Sequence, residues 1–120
     1  FADIQVKHAK QLNKRSLEES GKLAIDAGAD AIIVTGDWTG DAPQLEGIKR
    51  LRDSVDTFPI LVGSGADESN ISSLMSFATG AIVSTSLKEG DVDKDEINIK
   101  KYSQRISKDK VEKFIEAIDF

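Results

Sequence analysis

Two short segments rich in glycine and hydroxyl side chains are the part of this sequence most suited to chemistry. The first reads Gly-Ser-Gly-Ala at 63–66, and the second reads Ser-Thr-Ser-Leu-Lys at 84–88. Glycine lets the backbone approach phosphate oxygens closely, and Ser or Thr hydroxyls add hydrogen-bond donors. Together the segments predict a phosphate site, although tight turns with capping serines have the same composition. The candidate phosphate ligands are Gly63, Ser64, Gly65, Ser84, Thr85 and Ser86.

A lysine and the only histidine follow the first apolar run of the chain. Lys7 can bind an anion, or act as a base when burial disfavours its charged form, and His8 can transfer protons near neutral pH. Asp3 and Gln5 alternate with apolar residues, so they are predicted to share one face of a strand with Lys7. Asp3 is therefore a candidate ligand contact. The alternative is that Lys7 pairs with Asp3 or with a neighbouring strand and that His8 lies on the surface.

The segment at 35–43 combines two Gly-Asp pairs, two threonines and the only tryptophan. The two carboxylates, Asp37 and Asp41, lie four residues apart and can take a hard cation or orient a sugar hydroxyl. Asp37 can also move a proton, and Trp38 can stack on a base or a sugar ring. Thr35 is a further candidate ligand contact. In the alternative interpretation Asp41 caps the next helix and Trp38 packs on a neighbouring loop. The candidate catalytic residues are thus Asp37, Lys7 and His8; no residue is assigned to a metal, and the cofactor is left open.

Four short apolar runs must position these segments. Three of them end at Val6, Val34 and Val62, 28 residues apart each time, and the fourth ends 21 residues later. Short β-branched runs between polar residues predict buried parallel strands. The intervening segments carry apolar residues at helical spacing, and Ser16 with Glu19 forms a capping box before the first of them. The predicted order is β-α-β-α-β-α-β, a polar stretch at 88–101, and a last helix.

Alternating strands and helices predict an α/β fold with a parallel sheet and right-handed crossovers. Four βα units are half of a (β/α)8 barrel, which takes roughly 250 residues. The alternative is a small, open, doubly wound sheet. Phosphate loops after the last two strands favour the carboxyl-terminal half of a TIM-type barrel. We therefore predict that residues 1–120 form a single domain of four βα units.

Composition excludes several functional classes. Lys and Arg number 16 and Asp and Glu number 21, so the net charge is −5, and binding of nucleic acid through a basic face is not expected. No apolar run approaches the length of a membrane span. The chain has no cysteine, which excludes disulfides, thiol nucleophiles and zinc–thiolate sites. No signal peptide is recognised, and a cytoplasmic location is expected. The chain begins with Phe1 rather than Met, which suggests a piece of a longer protein.

Several of these motifs resemble the BtpA/SgcQ family. The matching stretches are ADIQVKHA at 2–9, ADAIIVTG at 29–36, GSGA at 63–66 and GAIVSTSLK at 80–88. The resemblance implies a TIM-type barrel of which this chain is the carboxyl-terminal half. The family takes its name from a cyanobacterial protein needed for photosystem I biogenesis, and relatives also occur in organisms that have no photosystem. The resemblance assigns no catalytic residue.

Two functions follow as expectations. In the first, the chain binds a phosphorylated small molecule, either a sugar phosphate or a nucleotide, at the carboxyl ends of its strands. In the second, which the resemblance implies, it is a non-enzymatic assembly factor of the photosystem I biogenesis type that acts through protein or membrane-surface contacts. A half barrel also exposes sheet edges, so we expect either a homo-oligomer or closure by a missing amino-terminal half-barrel.

Overall fold

The computed structural model describes residues 1–6, 11–36, 42–90 and 105–118, which form strands and helices in the predicted order. The strands are β1 (Ala2–Ile4), β2 (Ile32–Val34), β3 (Ile60–Val62) and β4 (Gly80–Ala81). The helices are α1 (Leu17–Asp26), α2 (Leu45–Val55), α3 (Ile71–Met75) and α4 (Lys108–Glu116), and a 3-10 turn (Thr85–Leu87) follows β4. Within these ranges, no helix has both the length and the apolar character needed to cross a membrane.

The four strands form one parallel sheet in the order β1-β2-β3-β4, so each strand pairs with the next one along the chain. A doubly wound sheet would instead reverse its strand order at a switch point and carry helices on both faces. Consecutive order with right-handed crossovers keeps the connecting helices on a single face. The fold is therefore α/β and has the architecture of half of a (β/α)8 barrel, as the sequence predicted.

The sheet face that packs against the helices, called the outer face, contains the hydrophobic core. Its five isoleucine and valine strand residues are at most 7% exposed, and complete burial of one such aliphatic side chain contributes about 1.5–3 kcal/mol. α2, α3 and α4 each add buried residues to the same cluster. The members of the cluster on strands and helices are Ile4, Ile32, Val34, Ile60, Val62, Ile48, Leu51, Ile71, Leu74 and Phe114.

The opposite face, called the inner face, interleaves large and small side chains. A Cβ added to Gly63 would lie 2.6 Å from Ile33 Cγ2 and 2.8 Å from Thr35 Cγ2, so these two methyl groups occupy the space that Gly63 leaves. A Cβ added to Gly80 would likewise lie 3.2 Å from Leu61 Cδ2. Such packing is typical of residues that fill the interior of a barrel. One row across the inner face consists of Asp3, Ile33, Leu61 and Gly80.

β1 is shorter than its apolar run predicted. It ends just before Gln5, whose φ of 54° is left-handed. The Gln5 side-chain amide donates to Arg15 O at 3.1 Å and to Ser20 Oγ at 3.4 Å, next to and within the first turn of α1. The prediction that one strand face continues from Asp3 through Gln5 to Lys7 is therefore wrong at Gln5. Lys7 itself lies outside the described residues.

The starts of the helices confirm one capping prediction and correct one position. Ser16 Oγ accepts a hydrogen bond from the Glu19 N–H at 3.1 Å, and the Glu19 carboxylate accepts from the Ser16 N–H at 2.9 Å. This is the predicted capping box of α1. Proline favours the first turn of a helix, but α2 begins at Leu45 with Gln44 as its cap, so Pro43 precedes the helix. The fourth apolar run ends at Val83, 21 residues after Val62, but β4 already ends at Ala81.

Arg52 of α2 ties together the amino-terminal ends of β3 and β4. Its guanidinium donates to Asp56 O at 2.6 Å and to Phe58 O at 2.7 Å, both ahead of β3. It also donates to Phe77 O at 2.8 Å and to Thr79 Oγ1 at 3.1 Å, both ahead of β4. The planar, five-donor guanidinium can serve these four acceptors at once, whereas a lysine ammonium cannot. Sequence reasoning did not identify this residue.

We predict that Arg52→Ala lowers the free energy of unfolding by about 2 kcal/mol or more, because it leaves carbonyl oxygens at two strand ends without their charged donor. Arg52→Lys is expected to lose an intermediate amount. Urea unfolding followed by circular dichroism measures both changes.

Arg50 on the same helix provides the matched control. Its Nε donates to Glu18 Oε1 at 2.9 Å, but the Arg50 side chain is 61% exposed. The pKa of the Glu18 carboxyl is lowered mainly by a backbone hydrogen bond, and Arg50 lowers it further. Exposed pairs of this kind contribute at most about 1 kcal/mol. Equal losses for Arg50→Ala and Arg52→Ala would contradict the role given to Arg52.

Candidate functional site

The carboxyl ends of all four strands lie on one edge of the sheet, called the carboxyl rim, because the strands are parallel. In parallel α/β folds, ligands bind at this edge. The predicted residues Lys7, His8, Asp37 and Trp38 follow β1 and β2 but lie outside the described residues. The structure describes the remaining predicted site residues, which are Asp3, Thr35, Gly63, Ser64, Gly65, Ser84, Thr85 and Ser86.

A left-handed glycine and an asparagine shape the turn after β3. Gly65 has a φ of 70°, a conformation that residues with a Cβ rarely adopt. Asn70 Nδ2 donates to Gly65 O at 2.9 Å, and Asn70 Oδ1 accepts from the Asp67 N–H at 3.0 Å. Sequence reasoning missed Asn70. Its position directly before the apolar stripe of α3 was the available signal, because asparagine favours helix starts.

One of the two acidic residues of this turn, Asp67, is engaged locally. Asp67 Oδ1 accepts hydrogen bonds from the Ser69 N–H at 2.9 Å and from Ser69 Oγ at 2.6 Å. Hydrogen bonds to an ionised carboxylate are stronger than those between neutral groups. The negative charge of Asp67 is thereby held within its own turn.

The turn after β3 contacts the segment after β4. Ser86 Oγ donates to Ala66 O at 2.7 Å, and both residues lie just beyond paired strand ends. The two segments that the sequence assigned to one phosphate are therefore side by side at the carboxyl rim. The Ser86 hydroxyl proton is used in this bond, so Ser86 holds the segments together and does not offer that proton to a ligand.

Several backbone N–H groups flank this contact. Among the described residues, none accepts a hydrogen bond from the N–H of Gly65, Ala66, Thr85 or Ser86. Ala66 is only 4% exposed. Because buried backbone N–H groups normally have a partner, a water molecule or an anion suits this position.

The backbone conformation at Ser84 is one that a residue with a side chain can adopt. Its φ is −145°, which lies outside the left-handed region that requires glycine. Ser84 and Thr85 are both exposed, and Thr85 opens the 3-10 turn. A short extra helix after the last strands is a recurring part of phosphate sites in (β/α)8 barrels.

The ends of β2 and β3 are also connected. The Gly36 N–H donates to Ser64 Oγ at 3.3 Å, and Ser64 is 9% exposed. Thr35 Oγ1 is buried and has no hydrogen-bond partner within the described part of the chain. An unpaired buried hydroxyl lowers stability, so its presence calls for an explanation.

A separate open cleft lies beside the end of β1. Its volume is about 370 Å³. Asp3 lines it, together with residues of the segment that leads into α1. Because β1 is the far edge strand of the sheet from β4, this cleft does not include the phosphate segments. The lining residues are Asp3, Gln5, Val6, Gln11, Leu12, Asn13, Arg15 and Ser20.

Known proteins similar to this chain come from distant organisms. The photosystem I biogenesis protein BtpA of Synechocystis sp. is 42% identical over 89 residues, which are 73% of this chain and 31% of that protein. An uncharacterized protein of Methanocaldococcus jannaschii is 37% identical over 100 residues, 82% of this chain and 37% of that protein. A mitochondrial uncharacterized protein of Caenorhabditis elegans is 36% identical over 110 residues, 90% of this chain and 38% of that protein. No solved structure matches the chain.

The matched region is only part of each relative, since the chain spans about a third of their length. Within the chain itself the similarity is nearly complete, because the model of the BtpA family matches residues 1–117. Together with the identities to its relatives, this match shows that the chain belongs to the BtpA family.

Proposed function

We propose that the carboxyl rim at β3 and β4 binds the phosphoryl group of a small metabolite, either a sugar phosphate or a nucleotide. The observation that carries the proposal is the Ser86–Ala66 hydrogen bond of 2.7 Å. It joins two turns in which the N–H groups of Gly65 and Ala66, and of Thr85 and Ser86, have no acceptor among the described residues. Backbone N–H groups gathered at glycine-containing turns are suitable donors for phosphate oxygens.

The predicted phosphate ligands take different roles in this proposal. The N–H groups of Gly65 and Thr85 contact the phosphoryl oxygens, together with the Thr85 hydroxyl. Ser86 fixes the distance between the turns. Gly63 and Ser64 shape the first turn, since Gly63 makes room for neighbouring methyl groups and Ser64 binds the loop after β2. The exposed hydroxyl of Ser84 offers a further contact.

The reacting end of the metabolite would lie toward β1 and β2. Lys7, His8 and Asp37 are the proposed acid–base residues on the loops after these strands, and Trp38 is the proposed stacking residue. Proton transfer by Asp37 or His8 would need no metal. Asp3, in the row that crosses the inner face, is a proposed contact for the rest of the ligand. A cytoplasmic location, expected from the sequence, suits such a ligand.

An assembly function is the second candidate. It rests on the Synechocystis relative, which is named as a photosystem I biogenesis protein and is 42% identical over its matched region. Relatives of similar identity in an archaeon and in a nematode argue for an activity that does not depend on a photosystem. Recovery of the chain in a membrane fraction, with release by high salt, would favour the assembly function over the phosphate site.

We predict that inorganic phosphate, ribose 5-phosphate or adenosine monophosphate at millimolar concentration raises the melting temperature of the chain, since a ligand that binds only the folded state stabilises it. Ser86→Ala should weaken the apparent affinity about five- to tenfold, because the two turns lose the hydrogen bond that joins them, worth about 1 kcal/mol. Differential scanning fluorimetry over a concentration series measures both effects.

Ser76→Ala is the control for this experiment. The Ser76 hydroxyl donates to Ser72 O at 3.4 Å at the end of α3, away from the carboxyl rim. The affinity of this variant should equal that of the unmodified chain. Absence of stabilisation by all three phosphates in the unmodified chain would exclude the proposed phosphate site.

Thr35→Val tests whether the buried Thr35 hydroxyl contacts the ligand. Because Oγ1 has no partner among the described residues, the substitution should leave the free energy of unfolding unchanged or raise it slightly. It should nevertheless reduce the stabilisation by ribose 5-phosphate and leave that by inorganic phosphate unchanged. Urea unfolding with and without each compound measures these effects.

The matched control is Thr79→Val at the other end of the sheet. Thr79 Oγ1 accepts hydrogen bonds from the Ile60 N–H at 3.2 Å and from Arg52 Nη2 at 3.1 Å. Its loss should lower the free energy of unfolding by about 1–3 kcal/mol without changing the response to either compound. If Thr35→Val were the more destabilising of the two variants, the Thr35 hydroxyl would have a structural partner.

A further inference from the structure

The segment that leads into α4 pairs with the segment that leaves the 3-10 turn. The Ser107 N–H donates to Leu87 O at 2.8 Å. In the opposite direction, the Glu89 N–H donates to Arg105 O at 2.8 Å. The two hydrogen bonds form an antiparallel bridge. The backbone just beyond the proposed phosphate donors is therefore joined to the start of the last helix.

The helix α4 itself supplies further contacts to this part of the chain. Lys110 Nζ donates to Gly90 O at 2.7 Å, so the helix also holds the residue that follows the paired segment. Phe114 is 6% exposed and belongs to the hydrophobic core. Leu87, the last residue of the 3-10 turn, packs against that core. The turn and α4 are thus attached to each other and to the same core.

The 3-10 turn depends on such contacts because its own backbone hydrogen bonds are local. The Lys88 N–H, one residue beyond the turn, donates to Thr85 O at 3.3 Å. Hydrogen bonds in 3-10 turns have poorer geometry than those in α-helices, so they fix a short segment weakly. The Ser86–Ala66 bond connects the turn to the end of β3, and the bridge to residues 105–107 connects it to α4.

We propose that docking of α4 positions the phosphate donors of the 3-10 turn, with Ser107 acting through its N–H group and Lys110 through its ammonium group as positioning residues. This inference rests on the proposed function, because it concerns the same N–H groups of Thr85 and Ser86. Fixing the backbone before the ligand arrives reduces the ordering that binding must otherwise impose. The coupling is reciprocal, so bound phosphate also favours the docked position of α4.

Two variants of Ser107 separate the backbone hydrogen bond from the helix cap. Ser107→Ala removes the hydroxyl that accepts from the Lys110 N–H at 3.4 Å, but it keeps the N–H that donates to Leu87 O. Ser107→Pro removes both, and the φ of −83° at this position is close to the value that proline requires. Relative to Ser107→Ala, the proline variant should raise the Kd for inorganic phosphate about fivefold or more.

Two lysine variants test the second contact of α4. Lys110→Met removes the donor to Gly90 O, whereas Lys113→Met removes the same charge from an exposed position on the same helix. Lys110→Met should raise the Kd for inorganic phosphate about two- to threefold, since one hydrogen bond of the docked helix is lost. Lys113→Met should leave the Kd unchanged. This pair provides an independent test if Ser107→Pro does not fold.

Titration of the isotope-labelled chain with potassium phosphate, followed by NMR, measures these dissociation constants, and potassium chloride at equal ionic strength is the control. Before phosphate is added, the amide signals of Thr85 and Ser86 should move further in Ser107→Pro than in Ser107→Ala. Arg52→Ala, which removes hydrogen bonds at the opposite end of the sheet, should bind phosphate like the unmodified chain. This variant distinguishes loss of positioning from a general loss of stability.

Three outcomes would overturn the inference. If the unmodified chain binds phosphate and both Ser107→Pro and Lys110→Met bind it equally well, the phosphate site stands and α4 does not position it. If Ser107→Ala, Lys113→Met or Arg52→Ala weakens binding as much, the helix cap, the charge or a general loss of stability is responsible. If the unmodified chain does not bind phosphate, the proposed site and the role of α4 are both excluded.

Discussion

Burial of alternate strand residues against helices on one side of the sheet is the constraint on which this structure depends. Ile32 and Ile60 are completely buried on that side, while Ile33 and Leu61, one residue further along, are only half-buried on the other. A register shift of one residue in either strand would exchange these sets. The same arrangement places the carboxyl ends of all four strands at the carboxyl rim and leaves the inner face open.

The order of the elements could be predicted from the sequence because parallel strands and amphipathic helices have different apolar periods. The capping box at Ser16 and Glu19 also followed from residue types, since its two hydrogen bonds are local. The end of β1 could not be predicted, because the left-handed conformation of Gln5 is accompanied by contacts to Arg15 and Ser20, at least ten positions away. The contacts of Arg52 could not be predicted either, because its acceptors lie in two separate segments, one ahead of β3 and one ahead of β4.

The proximity of the two candidate phosphate segments could be predicted from the sequence, but only part of their hydrogen bonding could be. Glycine and hydroxyl residues after two adjacent strands indicated where a phosphate could bind. Glycine is needed at position 63 for a further reason, because the methyl groups of Ile33 and Thr35 occupy the space where a Cβ would lie. No local sequence pattern reveals this packing. The Ser86 hydroxyl donates its proton to Ala66 O. A count of Ser and Thr residues therefore overstates the number of hydroxyl donors that are free to bind a ligand. The roles of Lys7, His8 and Asp37 remain predictions.

The separation of the Arg52 contacts from the carboxyl rim has an evolutionary consequence. The guanidinium bonds fasten the amino-terminal ends of β3 and β4, and the glycine and serine turns lie at the far ends of the same strands. Residues in these turns can therefore be substituted without removing the Arg52 hydrogen bonds. A substitution that alters recognition at the carboxyl rim can thus leave the framework of strands and helices intact.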